Sequence, residues 1–217
     1  MSSWDVVLAV LLNACWLVFA AVWVVGWIIN LWRAPNVRRR EWKGSPTTAV
    51  LVLLVVLARV VPQDVFRPLT YRATWLDVIG LVLLVASTAF TVWARVWLGT
   101  MWTSDPALKE RHQLRTDGPY AVTRNPIYTG LLGMLLATAI LNGLGFWLVV
   151  LVVCVLFFEL KMRGEERLLS AEFGDKYEQF CRRVPRLLPG RRSRLVLGRA
   201  DRHGRDAPRA DDPGVRG

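Results

Sequence analysis

The chain has 217 residues, 53% of them hydrophobic, and a formal net charge of +11; the length suits one domain, and the apolar share falls in long runs that soluble proteins rarely show. Positive charge gathers in Arg33–Lys43 and in Lys161–Arg216, which holds 15 of the 28 Lys and Arg. Clusters beside apolar runs read as topology signals and anionic-lipid contacts, not as a nucleic-acid surface. Cys15, Cys154 and Cys181 are odd in number and far apart, and His112 and His203 are the only histidines, which excludes a disulfide framework and argues against any metal site.

From Val6 to Trp32 no residue is charged, a run exceeding the ~20 residues with which a helix crosses a bilayer core. A cleaved signal peptide fits less well, because Met1–Asp5 carries no basic n-region and the run is too long. The second apolar run, Thr47–Val61, is short, and Arg59 near its end can snorkel to an interface. The third is Trp75–Leu98, with Asp77 and Arg95 close to its ends. The fourth and fifth, Ile127–Leu141 and Phe146–Leu160, are separated by Asn142-Gly143-Leu144-Gly145, a turn signal that predicts an antiparallel helical hairpin. Apolar runs in lipid must be helices, since an open strand leaves its backbone unpaired. The expected fold is an all-α integral membrane protein of about five transmembrane helices.

Direction follows from the loops. The basic stretch Arg33–Lys43 should face the cytoplasm, which puts the N-terminus, Pro62–Thr74 and the Asn-Gly turn outside, and Gly99–Asn125 and the C-terminus inside. Trp4, Trp75 and Trp147 then fall at one interface and Trp32, Trp97 and Trp102 at the other. No internal repeat is visible. Residues Arg191–Gly217, rich in Arg, Asp, Gly and Pro, read as a disordered basic tail.

Two polar segments share the cytoplasmic side, and the hairpin should bring them together: GPYAVTRNPIYTG at 118–130 and the stretch from Glu159 to Pro189. Asn125-Pro126 has the form of a helix start, with Asn as N-cap and Pro at the first helical position. A helix N-terminus also collects anions, and Arg124 and Tyr128 flank it. In the second segment Glu159 can pair with Arg163, and Lys161 with Glu165, on one helix face. Leu160, Leu168, Leu169, Phe173, Tyr177 and Phe180 predict an amphipathic helix, broken at Gly174. Glu165 and Glu166 beside a helix N-terminus and an arginine make a pocket with both signs of charge, suited to a zwitterionic or sulfonium-bearing ligand.

HQLRTDGPYAVTRNPIYTG followed by EERLLSAEFGDKYEQFCRRVPRLLP resembles the isoprenylcysteine carboxyl methyltransferase family and, more distantly, the phospholipid N-methyltransferases, over about Gly99–Pro189. The resemblance implies methyl transfer from S-adenosyl-L-methionine to a lipophilic or small acceptor at the cytoplasmic face. It implies a cofactor site lined by His112, Gln113, Leu114, Arg115, Tyr120, Arg124, Asn125, Pro126, Ile127, Tyr128 and Glu165. Lys161 would lie toward the acceptor, and Glu166 would take a proton from an amine or thiol. Asn125 stands where the family commonly has histidine, and Lys161 where its eukaryotic members have arginine. Lysine lacks the bidentate fork that grips a carboxylate, so the acceptor stays open between carboxylate, amine and thiol. The implied division is a membrane region at 1–98, a methyltransferase core at 99–189 and a tail at 190–217.

Two other classes remain in view. Membrane sterol reductases resemble this superfamily in their C-terminal half and bind NADPH, and a non-catalytic membrane scaffold would carry similar helices. Arginine outnumbers lysine 24 to 4, which points to a GC-rich, bacterial genome and a bacterial cell membrane.

Overall fold

The computed structural model describes residues 2–33, 37–40, 46–102, 107–109 and 114–187. His112 and Gln113, and the tail read as disordered, lie outside the described residues. Among the described residues six α-helices carry the fold: α1 (Ser3–Arg33), α2 (Pro46–Val60), α3 (Thr74–Leu98), α4 (Pro126–Leu141), α5 (Phe146–Phe173) and α6 (Asp175–Arg183). Each of the five apolar runs forms a helix near its expected bounds. The architecture is not purely helical, however. Strands β1 (Val37–Arg40) and β2 (Ala107–Lys109) pair as an antiparallel ribbon, because the loops after α1 and α3 meet and satisfy each other's backbone groups.

Among the described residues two helices are long and apolar enough to cross a membrane, Ser3–Arg33 and the stretch Thr74–Met101 that extends α3. Valine, leucine and tryptophan side chains along α1 stay exposed, as a lipid-facing helix requires. With 15 and 16 residues, α2 and α4 rise only about 23 Å at 1.5 Å per residue.

The turn Asn142–Gly145 joins α4 to α5 as its composition predicts, yet α4 packs most extensively on α3 and less on α5. The cause is a small-residue face. A Cβ at Gly130 would sit 3.0 Å from the Ser87 carbonyl oxygen and collide with the Thr91 hydroxyl, so only glycine allows the two backbones this approach. Thr91 turns its own hydroxyl inward to donate to the Ser87 carbonyl at 2.7 Å. Below this contact Leu84 and Met134 are fully buried, and Leu8, Ala137 and Leu141 complete a core shared by α1, α3 and α4, with Trp16 and Phe19 against it.

Polar contacts sort to two ends. At one, the Trp4 indole donates to Asp77 (3.4 Å), and Tyr71 N–H and Gly145 N–H bond Gly143 and Leu69 carbonyls. At the other, the Asn30 amide donates to the Trp102 carbonyl at 3.1 Å and β1 pairs with β2. The second end carries the candidate site.

Candidate active site

α5 runs on past Leu160 to Phe173, where Gly174 (φ +50, ψ −127) stops it. That backbone region is open to glycine almost alone, and it turns the chain into α6 as the sequence predicts. Tyr177, Phe180 and Val184 then bury themselves against Leu114, Leu169 and Phe173. The chain after α6 returns across the start of α4. Arg124 N–H bonds the Pro185 carbonyl at 2.9 Å, Thr123 donates to the Arg186 carbonyl at 2.9 Å, and Thr129 to the Leu187 carbonyl at 2.6 Å.

This return alters the role expected of Asn125. It stands at the N-cap of α4, with buried Pro126 at the first helical position, but its side chain makes no capping bond. Its amide donates to the Arg186 carbonyl at 3.2 Å. The Arg186 carbonyl of the returning chain takes the Asn125 amide as a second donor beside the Thr123 hydroxyl, and this bond orients the Asn125 side chain. The first turn of α4, with Ile127 and Tyr128, is thus left without a side-chain cap.

Tyr128 donates to Glu165 Oε1 at 2.5 Å, so the two polar segments do meet. Glu165 is densely surrounded, and burial pushes its carboxyl above the usual range; Glu166 adds to the rise, while the Tyr128 hydrogen bond and the Lys161 charge oppose it. Lys161, one turn earlier on α5, is only 6% exposed, with its Nζ 5.5 Å from the Phe157 ring centroid. Tyr128 rests against Phe158 at 5.3 Å. Tyr120, in the short 3₁₀ turn Gly118–Ala121, also lies close by. Burial raises its phenol, the Glu165 charge raises it further, and Arg95 and Arg115 pull it back.

Glu166 has a different setting. Arg186 Nε donates to its Oε1 at 3.1 Å, Arg186 Nη2 lies 3.1 Å from its Oε2, and Arg124 Nη1 is 3.4 Å from Oε1. Arg186 also reaches Glu159 at 2.7 Å, and Glu159 takes Arg163 at 2.8 Å as the helix spacing predicts. Two glutamates of α5 thereby hold the returning chain. Leu114 belongs to the α6 cluster. Arg115 and Arg124 each bury an Nε without a partner among the described residues.

Arg95, which the sequence places near the end of the third apolar run without a role, has a defined setting. Arg95 is 3% exposed, donates from Nη1 to the Gly99 carbonyl at 3.0 Å, and lies 4.7 Å from the Trp102 ring centroid. Its guanidinium fills the notch at Gly26 of α1. A charge near the end of an apolar run is a signal of function in a membrane protein, but its pairing with Gly26 is invisible without the fold.

Comparison with known proteins bears on the same stretch. Residues 75–176 match the phospholipid methyltransferase family model. The chain is 26% identical over 146 residues to protein-S-isoprenylcysteine O-methyltransferase B of Arabidopsis thaliana, covering 64% of this chain and 72% of that one. It is 41% identical over 80 residues to the protein-S-isoprenylcysteine O-methyltransferase of Schizosaccharomyces pombe, covering 36% and 34%. It is also 26% identical over 148 residues to the cobalt-zinc-cadmium resistance protein CzcN of Cupriavidus metallidurans, covering 68% and 64%. From α3 to α6, residues 75–176 are thus similar to the phospholipid methyltransferase family, and the chain is similar to these isoprenylcysteine O-methyltransferases.

Proposed function

We propose that the protein is a membrane-embedded, S-adenosylmethionine-dependent methyltransferase acting at the cytoplasmic face on a lipophilic or small acceptor. The observation that carries this reading is the part-buried Glu165–Tyr128 hydrogen bond, which joins two segments of the matched stretch beside the chain that returns after α6. The residues fit the cofactor's charges. Glu165 offers a carboxylate to its amino group or sulfonium, while the uncapped start of α4 and the unpartnered Nε of Arg115 offer donors to its carboxylate.

The cofactor supplies, when bound, a methyl group already activated by a sulfonium. The protein's own residues therefore need to align and to exclude water more than to move protons. Tyr128 orients Glu165 by its hydrogen bond, and Lys161 favours the ionised carboxylate. Phe157 and Phe158 wall that side of the pocket. Held by Arg186 and Arg124, Glu166 suits a clamp on the returning chain better than a free base. Lys161 gives a carboxylate acceptor a point charge and no fork, so carboxylate, amine and thiol acceptors all fit.

Five helices crossing the bilayer, with the N-terminus outside and the C-terminus inside, agree with the sorting of polar contacts. The loops expected outside, Pro62–Thr74 and Asn142–Gly145, bond each other, and those expected inside pair through β1 and β2. The functional test is mass spectrometry of membrane lipids and metabolites from a bacterial host fed methyl-labelled methionine, with and without the gene. The label should appear in a gene-dependent product, and the purified chain should bind S-adenosylmethionine. Binding of NADPH instead would make it a reductase, and binding of neither would leave a scaffold.

A further inference from the structure

A second cavity of about 580 Å³ lies at the end of the molecule away from Glu165, within the size range of small-molecule sites. α1 forms one wall with Leu8, Leu12 and Trp16, and the close of α4 forms the other with Thr138 and Leu141. The Trp16 indole donates to Thr138 Oγ1 at 3.1 Å, bracing the two walls. From Tyr128 to Leu141 along α4 is about 20 Å at 1.5 Å per residue, so this cavity is separate from the proposed methyl-transfer site.

Its lining is mixed. Leu8, Leu12 and Leu141 line it together with Asn13 and Asn142, and Asp5, Arg72 and the Trp147 ring border it as well. Arg72 is exposed and lies across Gly143, while the Asp5 carboxylate accepts the Ser2 N–H at 2.8 Å. A wholly anionic ligand would meet Asp5, a wholly cationic one Arg72, and a neutral one would leave both charges unanswered. A head bearing phosphate and ammonium answers both, and its chain suits the leucines. Tryptophans at the rim are the usual company of lipid head groups. Protein interiors are close-packed, so a space of this size with leucines and tryptophans in its lining, beside an α1 long enough to cross a membrane, suits a lipid.

We infer that this cavity binds a zwitterionic phospholipid from the leaflet opposite the proposed methyl-transfer site. The inference needs α1 to cross the membrane and does not depend on the cofactor. Its test is native mass spectrometry of the full chain in mild detergent, titrated in parallel with palmitoyl-oleoyl phosphatidylethanolamine and phosphatidylglycerol. One phosphatidylethanolamine should be retained in preference. Ala9→Phe, which fills the cavity, and Arg72→Glu, which reverses one charge at its border, should each lower that retention about tenfold, with S-adenosylmethionine affinity unmoved. Should either variant fail to fold, Asp5→Asn should lower phosphatidylethanolamine retention more than phosphatidylglycerol retention. Preference for phosphatidylglycerol, or equal retention by the parent and a folded Ala9→Phe variant, would overturn the inference and leave an adventitious lipid only.

Discussion

Glu165 sits where burial favours its protonated form and a cationic ligand would favour the ionised one. Its folded-state value is raised above the ordinary 4.5, so the folded chain holds this proton more tightly than the unfolded chain. Its contribution to stability is therefore present in acid and is lost as pH rises from about 4.5 through the folded value. Affinity for a cationic cofactor at this carboxylate should run the other way, climbing over the same range as the carboxylate ionises, because binding a cation would expel the proton. Tyr128 sets where that climb occurs, since its hydroxyl bonds the carboxylate and lowers its value. Tyr128→Phe should shift the midpoint of the affinity–pH curve upward while leaving the plateau at high pH nearly in place. Titrations at several pH values check this; a midpoint at or below the parent's would show that Tyr128 does not tune Glu165. Asn125 shows why single residues mislead. Its type and position spelled a cap, but the Arg186 carbonyl, sixty-one positions away in sequence, drew its amide off.

At the scale of elements, the return of the chain after α6 ties α4 and α5 together at the candidate site. Arg186 joins Glu159 and Glu166 of α5, while its own carbonyl receives Thr123 and Asn125. These groups are partly buried, so their charge-assisted bonds lose less to solvent than surface pairs do. Arg186→Ala should destabilise the protein by about 1–3 kcal/mol and weaken S-adenosylmethionine binding. Hydrogen exchange should quicken at 123–129 and 177–187 ahead of the rest. Unchanged exchange at 123–129 would mean that α4 keeps its N-terminus without the clamp. The break at Gly174 and the amphipathic helices around it were legible, because period and glycine are local signals. That α4 takes α3 as its main partner was not. Ser87, Thr91 and Gly130 lie in two separate apolar runs, and nothing in either run reports which face meets the other. The β1–β2 ribbon was hidden for the same reason, its two strands being short and nearly seventy residues apart.

At the scale of the whole molecule, basic loops and tryptophans predict a direction, and the contacts at the two ends show only which loops share an end. Reporter fusions should place the N-terminus and Asn142–Gly145 outside and the C-terminus in the cytoplasm. A C-terminal reporter found outside would move the candidate site to the wrong compartment for S-adenosylmethionine. The ordered motifs from Leu114 to Arg186 carried most of the site, since the residues that meet there are spelled in two compact segments. Arg95 and the wall of α1 against it were not legible, because that contact depends on Gly26 leaving room for a guanidinium from another helix. The central claim, that Glu165 receives the cofactor's positive charge, is tested most directly by calorimetric titration of S-adenosylmethionine into the detergent-purified parent and Glu165→Gln. Glutamine keeps the shape and removes the charge, so a contact worth roughly 1.5–3 kcal/mol is weakened, and the dissociation constant should rise about ten- to hundredfold. Equal affinity in the two, with the variant folded, would contradict the account.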